Sequence, residues 1–218
     1  MQRVNAFRVW FAFSIIAASS ALGAQDFRPG FYVRADLGPA FTRSTDVKEF
    51  IGSPSPGRVK FDTGVRFGIG GGYLFCPYFA LDGETGWIYN EIDSISGGID
   101  ADARVMQVPF LANAVFQYPN PTHVTPFFGG GAGGSSSVLD IDATSGSVFV
   151  HGTASDTVFA YQAFGGLKYE INDRLAVGVV YKYFKSGDPE WDVRRSSQNI
   201  KFDGTETHSV SVTVNFRF

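Results

Sequence analysis

Residues 209–218 alternate strictly between apolar and polar side chains, and this alternation constrains the fold more than any other feature of the sequence. The apolar and polar sets are Val210, Val212, Val214, Phe216 and Phe218 against Ser209, Ser211, Thr213, Asn215 and Arg217. Successive side chains of a β-strand point to opposite faces, so one face is apolar. A soluble sandwich and a membrane barrel both use such strands. The barrel is favoured because the strand runs to Phe218 and other predicted strands carry aromatic residues near their ends.

The first 24 residues have the pattern of a cleaved secretory signal peptide. Arg3 and Arg8 form a basic segment, residues 9–18 are mainly apolar, and small residues lead to Ala24. The apolar stretch is too short to span a bilayer as a helix, which takes about 20 residues. We expect cleavage after Ala24, with residues 25–218 as the mature barrel domain; cleavage after Ala21 or after Gly23 is an alternative.

Charge and hydropathy exclude several classes of protein. Loss of Arg3 and Arg8 with the signal peptide would leave 16 basic and 21 acidic side chains, a net charge of −5. We therefore expect no nucleic-acid partner, because nucleic-acid binding needs a basic surface. Cys76 is the single cysteine, so an internal disulfide is excluded. No later run of 18 apolar residues occurs, so membrane crossing would have to use strands.

Apolar alternation predicts about eight strands, each near the length with which a tilted strand crosses a membrane. Their approximate ranges are 31–41, 63–75, 78–90, 104–118, 124–136, 157–171, 175–185 and 209–218. The fifth strand is the weakest prediction, because residues 129–134 are glycine apart from one alanine. In the fourth strand Pro109 predicts a β-bulge, since proline cannot donate a ladder hydrogen bond.

Connections between the predicted strands alternate in length. Short turns are expected at Cys76-Pro77, at 119–123 and at 172–174, where parity pairs Ile171 with Leu175. Long loops rich in Gly, Ser, Asp and Pro are expected at 42–62, 91–103, 137–156 and 186–204. This layout is typical of outer-membrane barrels, whose short turns face the periplasm and whose long loops face outward.

The inward faces of these strands carry five positive and four negative side chains. They are Arg34, Asp36, Arg66, Asp82, Glu84, Lys168, Glu170, Lys182 and Arg217. Their near balance predicts a lumen network of ion pairs. Gly70 and Gly72 are expected opposite Glu84 and Asp82, where they leave room for the carboxylates. An eight-stranded barrel is just wide enough for such a packed polar plug, and a gated ion path is the alternative.

Outward aromatic residues fall into two groups that we interpret as interfacial girdles. One group is Trp87, Tyr89, Tyr161, Tyr181 and Tyr183; the other is Tyr73, Phe75, Phe79, Phe116, Tyr118, Tyr169, Phe216 and Phe218. Such rings anchor a barrel at the two membrane surfaces and are not expected to hold a cofactor.

Other motifs predict no catalytic, cofactor or metal site. The segment Gly129–Gly134 matches G-x-G-x-x-G, but no strand–helix context follows it. The three histidines have no zinc-ligand spacing. Glu206 and His208 share a face near the outer rim, as in a lipid-modifying enzyme, but the next residue on that face is Val210 instead of a serine nucleophile. We expect neither enzyme activity nor a cofactor.

Several segments, in their order along the chain, resemble small outer-membrane β-barrel proteins of the porin-like, opacity and surface-antigen type of alphaproteobacteria. These segments are Gly30–Gly38, Met106–Asn113, Thr125–Gly129, Tyr161-Gln162, Tyr181–Phe184, Gly187–Pro189 and Phe218. The resemblance covers the mature chain. In its architecture this group of proteins is also similar to the OmpA transmembrane barrel. It implies an all-β, closed, antiparallel up-and-down transmembrane barrel of eight strands. It also implies that the outer-membrane assembly machinery recognises Phe216 and Phe218 as an assembly signal.

The sequence therefore predicts an outer-membrane barrel of a Gram-negative bacterium with a structural role and four loops presented at the surface. The alternative is a narrow porin-like channel for ions or small solutes, and a lipid-modifying barrel enzyme is less favoured. Expected partners are outer-membrane lipids, lipopolysaccharide, the assembly machinery and an unidentified surface ligand of the loops. A fold alone does not choose among such activities.

Overall fold

The computed structural model describes residues 28–49, 57–95, 100–145, 148–188, 190–192, 199–202 and 204–218, which are built almost wholly from β-strands. The strands are β1 (Gly30–Thr42), β2 (Thr45–Glu49), β3 (Gly57–Phe61), β4 (Gly64–Cys76), β5 (Phe79–Ile95), β6 (Asp100–Gln117), β7 (Val124–Ser145), β8 (Val148–Glu170), β9 (Leu175–Ser186), β10 (Glu190–Asp192), β11 (Asn199–Phe202) and β12 (Glu206–Arg217). Over these ranges, no helix is long and apolar enough to cross a bilayer. The signal peptide predicted at residues 1–24 lies outside the described residues.

Eight of the strands close into an antiparallel barrel, as predicted. The order around the wall is β1, β4, β5, β6, β7, β8, β9, β12 and back to β1. Closure is made by β12 on β1, with Val33 opposite Phe216 and Asp36 opposite Thr213. An open strand edge would be costly in lipid, because each unpaired backbone group costs several kcal/mol there. Pairing of the last strand with the first removes that cost.

Strands β5, β6, β7 and β8 extend well beyond their predicted ranges at their outer ends. The predicted loops 91–103 and 137–156 are largely wrong, because β5 continues to Ile95, β6 begins at Asp100, and β7 and β8 are separated only by two residues after Ser145. The loops were predicted there because these segments are rich in Gly, Ser and Asp. Ladder pairing between neighbouring strands, as from Asp100↔Thr144 to Gln117↔Phe127, continues the strands through these segments.

The predicted loops 42–62 and 186–204 also contain strands. β2 pairs with β3, β3 pairs with the outer end of β5, and β11 pairs with both β2 and β10. We call β2, β3, β10, β11 and the outer ends of β5–β8 the upper tier. The wall thus continues beyond the barrel proper, and it is interrupted between β1 and β2, β3 and β4, β9 and β10, and β11 and β12.

The short turns set the register of the barrel. Ile171 N donates to Leu175 O over 2.9 Å, as the predicted pairing requires. The turn between β4 and β5 lies at Pro77-Tyr78, one residue later than predicted, and it places Cys76 opposite Phe79. The predicted register nevertheless holds, since Gly70 lies opposite Glu84 and Gly72 lies opposite Asp82.

The bulge predicted at Pro109 was wrong. Thr85 pairs with Phe110 and Ile88 pairs with Gln107 in one continuous register. The ladder pairs between these two are missing, at the level where Pro109 faces Gly86. The strand therefore accommodates the absent N–H by omitting local ladder bonds, without inserting an extra residue.

Outward aromatic rings form a continuous run at the short-turn end of the barrel. Consecutive ring centroids lie 4.9–6.1 Å apart along Phe31, Tyr73, Phe75, Phe79, Phe116 and Phe128. Phe31 and Phe128 extend the group expected from the sequence. At the other end Tyr161 contacts Tyr183, and Tyr183 contacts His208. These two zones lie where interfacial girdles anchor a barrel in a membrane.

Candidate functional site

Six charged side chains meet in the middle of the barrel, and we call them the central charge cluster. They are Arg34 and Asp36 on β1, Arg66 on β4, Asp82 and Glu84 on β5, and Lys182 on β9. Each residue is at most 7% exposed. Three cations and three carboxylates make the cluster formally neutral. Neutrality is expected because an unpaired charge isolated from water is costly.

Glu84 is the hub of this cluster. Its Oε2 lies 2.6 Å from Arg34 Nη2, and its Oε1 lies 2.9 Å from Arg66 Nη2 and 2.6 Å from Lys182 Nζ. Lys182 Nζ also lies 2.6 Å from Asp36 Oδ1, and Arg34 Nε lies 3.1 Å from Asp82 Oδ2. One carboxylate therefore holds all three cations, and the other two carboxylates complete the neutralisation.

Neutral side chains add further hydrogen bonds to the cluster. Asn113 donates to Asp82 Oδ1 over 2.7 Å, and Gln162 donates to Glu84 Oε2 over 2.8 Å. Arg66 donates to Gln162 Oε1 over 2.9 Å, and Tyr32 donates its hydroxyl hydrogen to Asp82 Oδ2 over 2.8 Å. The sequence prediction named only charged residues for this network. The sequence did contain a signal for Asn113 and Gln162, because both lie at inward positions of their predicted strands.

Three inward glycines of β4 give the cluster its room. A Cβ at Gly68 would lie 2.8 Å from Asp36 Oδ2, and one at Gly70 would lie 3.1 Å from Arg34 Nε. A Cβ at Gly72 would lie 2.5 Å from the Asp82 Cβ. Any side chain at these positions would collide with the cluster or with the neighbouring strand.

Apolar side chains flank the cluster on both sides along the lumen. The outer group is Ala40, Ile88, Leu111, Ala160 and Phe184; the periplasmic group is Leu74, Ala80, Val115, Phe164 and Val180. On β9 the inward order is Val180, Lys182, Phe184, and β6 and β8 repeat this apolar–polar–apolar order. The Arg34 guanidinium lies 5.3 Å from the Phe164 ring centroid and that of Arg66 lies 5.6 Å from the Phe184 centroid, so each apolar group also touches the cluster through a cation–π contact.

The other three predicted lumen charges lie apart from the cluster, near the periplasmic end. Lys168 donates to Gln117 Oε1 over 2.6 Å, Glu170 accepts from Thr125 over 2.9 Å, and Arg217 donates to the Arg28 carbonyl. Lys168, Glu170 and Arg217 line a cavity of about 120 Å³ whose inner wall includes Arg34 and Asp82. The cavity ends at the cluster.

The outward pair considered for lipid chemistry is engaged in other contacts. Glu206 binds Arg43 and Lys185, each at 3.0 Å, and His208 Nδ1 lies 2.7 Å from the Tyr181 hydroxyl. Among the described residues, no group of three or more His, Cys, Asp or Glu side chains could hold a metal ion.

Comparison with known proteins gives the family. The family model of the outer membrane protein beta-barrel domain matches residues 10–218, and the chain belongs to this family. No curated protein matches the sequence. The protein is thus an integral outer-membrane β-barrel, and the resemblance to small outer-membrane barrels is confirmed.

Three solved structures illustrate the fold. Neisserial surface protein A is 17% identical, over 88% of this chain and 100% of that chain, with a TM-score of 0.55. The outer membrane protein AlkL is 13% identical over 91% and 95%, with a TM-score of 0.53. The outer membrane protease OmpT of Escherichia coli is 7% identical over 87% and 97%, with a TM-score of 0.56. At these identities the likeness shows the fold alone.

Proposed function

We propose that the protein is a plugged envelope barrel, which has a structural role and presents its upper tier at the cell surface. The observation that carries this proposal is the filled lumen: the central charge cluster lies between two apolar groups. The periplasmic cavity reaches Arg34 and Asp82, so an ion crossing the barrel would still have to pass the central charge cluster and the outer apolar group. Opening the middle layer would separate Glu84 from three cations, and an unpaired buried charge costs about 3–5 kcal/mol.

Conductance of the refolded protein in a planar bilayer tests the plug. We expect no steady unitary conductance from the native protein. Glu84→Gln unbalances the cluster and is expected to produce opening events, whereas Asp62→Asn, at an exposed position just after β3, is not. A steady native conductance would contradict the plug.

A narrow channel is the second candidate, and the periplasmic cavity favours it. That cavity of about 120 Å³ already covers part of the path and reaches Arg34 and Asp82. Under this alternative the native protein conducts, and substitutions in the cluster change its ion selectivity instead of creating the conductance.

Surface presentation is supported by the length of β7 and β8. These strands have 22 and 23 residues, whereas a tilted strand needs about 9–11 to cross the hydrocarbon. The remaining residues extend beyond the membrane, where a ligand of the upper tier would bind. An epitope inserted between Ser145 and Val148 should be labelled by antibody on intact cells. Labelling only after the outer membrane is permeabilised would contradict this orientation.

We further propose that the protein is not an enzyme. The outward Glu206 and His208 are bound by Arg43, Lys185 and Tyr181, and the next residue on their strand face is Val210. Lipid mass spectra of cells with and without the protein provide the test. A lipid species that depends on the protein, and is lost in His208→Ala, would contradict this proposal.

Recognition of the last strand by the outer-membrane assembly machinery is part of the same proposal. Phe216 and Phe218 lie on the outward face with ring centroids 5.4 Å apart, and Phe218 is 72% exposed. An aromatic pair exposed at the end of the closing strand is accessible to a partner before the barrel closes.

A further inference from the structure

A row of four outward side chains crosses the barrel wall at its outer end. Arg43 N donates to Glu206 O over 2.9 Å, Glu206 lies opposite Lys185, and Lys185 lies opposite Tyr161. By strand parity, all four side chains lie on the outer face of the barrel wall. We call Arg43, Glu206, Lys185 and Tyr161 the outer row.

The outer row marks the depth at which the apolar wall ends. The next outward positions toward the periplasm are aromatic, with Tyr183 and His208 opposite each other. At the second outward position of β12 beyond His208 the wall is aliphatic, with Val212 opposite Val179. Charges on the lipid face of a barrel are tolerated near the interface and costly at the midplane. The outer row therefore lies at the headgroups of the outer leaflet.

The outer row has one carboxylate between two cations. Arg43 Nη1 and Lys185 Nζ each lie 3.0 Å from a different oxygen of Glu206. The side chains of Arg43 and Lys185 are 71% and 39% exposed, so both cations face outward as well as toward Glu206. A guanidinium has five N–H donors and an ammonium three, which is more than one carboxylate accepts. The row carries one net positive charge and exposed donors where it meets the lipid.

We propose that the outer row is a docking site for the phosphorylated headgroup of lipopolysaccharide. A phosphate is multiply charged and accepts several charge-assisted hydrogen bonds, so it can share Arg43 and Lys185 with Glu206. A headgroup without net negative charge cannot compete with Glu206 in that way. Basic clusters at membrane surfaces recognise anionic headgroups by this chemistry, and the tyrosine of the row supplies the aromatic contact usual at this depth. Glu206 acts as an internal anion that orients the two cations.

Binding of lipid A to the full-length protein, purified from membranes in zwitterionic detergent, tests the site. The probes are lipid A with both phosphates, lipid A with both phosphates removed, and inorganic phosphate. We expect Arg43→Gln with Lys185→Gln to weaken binding of phosphorylated lipid A by about 100-fold, roughly tenfold for each lost cation. Arg174→Gln, a cation in the periplasmic turn, is the matched control and should bind as the native protein does. A gel shift on heating verifies that each variant is folded.

Glu206→Gln separates a ligand site from a structural ion pair. If Glu206 competes with the headgroup, its removal should tighten binding of phosphorylated lipid A by about tenfold. If Glu206→Gln binds phosphorylated lipid A with the same affinity as the native protein and only makes the barrel less stable, the proposal is overturned. Equal binding by the double variant, or equal binding of dephosphorylated lipid A, would also overturn it. Full competition by millimolar inorganic phosphate would overturn the lipid assignment in favour of a free phosphoryl ligand.

Discussion

At the scale of single residues, the neutrality of the central charge cluster depends on Glu84. Glu84→Gln would leave three cations with two carboxylates inside the barrel. We expect the free energy of unfolding to fall by about 3–5 kcal/mol, because a buried charge loses its partner. Urea unfolding of the refolded protein, followed by tryptophan fluorescence, measures this.

The matched comparison for this prediction is Asp173→Asn in the exposed turn, which should change the stability by less than about 0.5 kcal/mol. Arg66→Met should have a smaller effect than Glu84→Gln, since Glu84 keeps Arg34 and Lys182. Equal stabilities of Glu84→Gln and Asp173→Asn would mean that water reaches the cluster.

The glycines of β4 and β5 provide a second test at this scale. A Cβ at Gly72 would lie 2.3 Å from the Leu81 carbonyl oxygen, whereas a Cβ at Gly83 would meet nothing within 4 Å. We expect Gly72→Ala to lower the free energy of unfolding by about 1–3 kcal/mol, as overpacking does. Gly83→Ala should leave it nearly unchanged. The same urea titration applies, and a reversed order would contradict the packing described here.

Strand parity predicted which residues face the lumen, but it did not predict which of them meet. Arg34, Glu84 and Lys182 lie at one depth, while Lys168 and Glu170 lie nearer the periplasm. Parity gives the face of a strand, whereas depth depends on the tilt and stagger of all eight strands. Local turn geometry did predict the placing of the glycines opposite Asp82 and Glu84.

At the scale of strands, β12 closes the barrel by pairing with both β1 and β9. Deleting residues 209–218 should abolish membrane insertion and the gel shift on heating, because two strand edges would be left open in lipid. Phe218→Ser should refold in detergent but accumulate less in the outer membrane of cells. Normal cellular levels of Phe218→Ser would argue against its recognition by the assembly machinery.

The strands inside the membrane were predictable and those beyond it were not. β1, β4 and β9 have the apolar alternation that lipid on one side and a polar lumen on the other impose. β2, β3, β10 and β11 have only three to five residues each, which is too short for a periodic signal. They are held by ladder pairing, partly with strands distant in the sequence, as between β11 and β2. The weak fifth predicted strand became the long β7 for the same reason: its glycines pair with both β6 and β8.

At the scale of the whole molecule, we predict that the protein in the membrane lacks its first 24 residues. The basic segment at Arg3 and Arg8 and the apolar run after it are features that signal peptidase substrates share. Intact mass spectrometry of protein extracted from membranes should give a chain that begins at Gln25. A protein that retains Met1 would show that this segment is not cleaved.

The wall breaks between β1 and β2, β3 and β4, β9 and β10, and β11 and β12 have a consequence for evolution. All four fall at neighbouring register positions, above the pairs that close the barrel, such as Thr42↔Thr207 and Glu206↔Lys185. Sequence between Arg43 and Asp62, or between Gly187 and Gly204, can therefore be exchanged without altering a single pair in the membrane. Selection at the cell surface would act on these two segments, while the requirements of insertion act on the strands in the membrane.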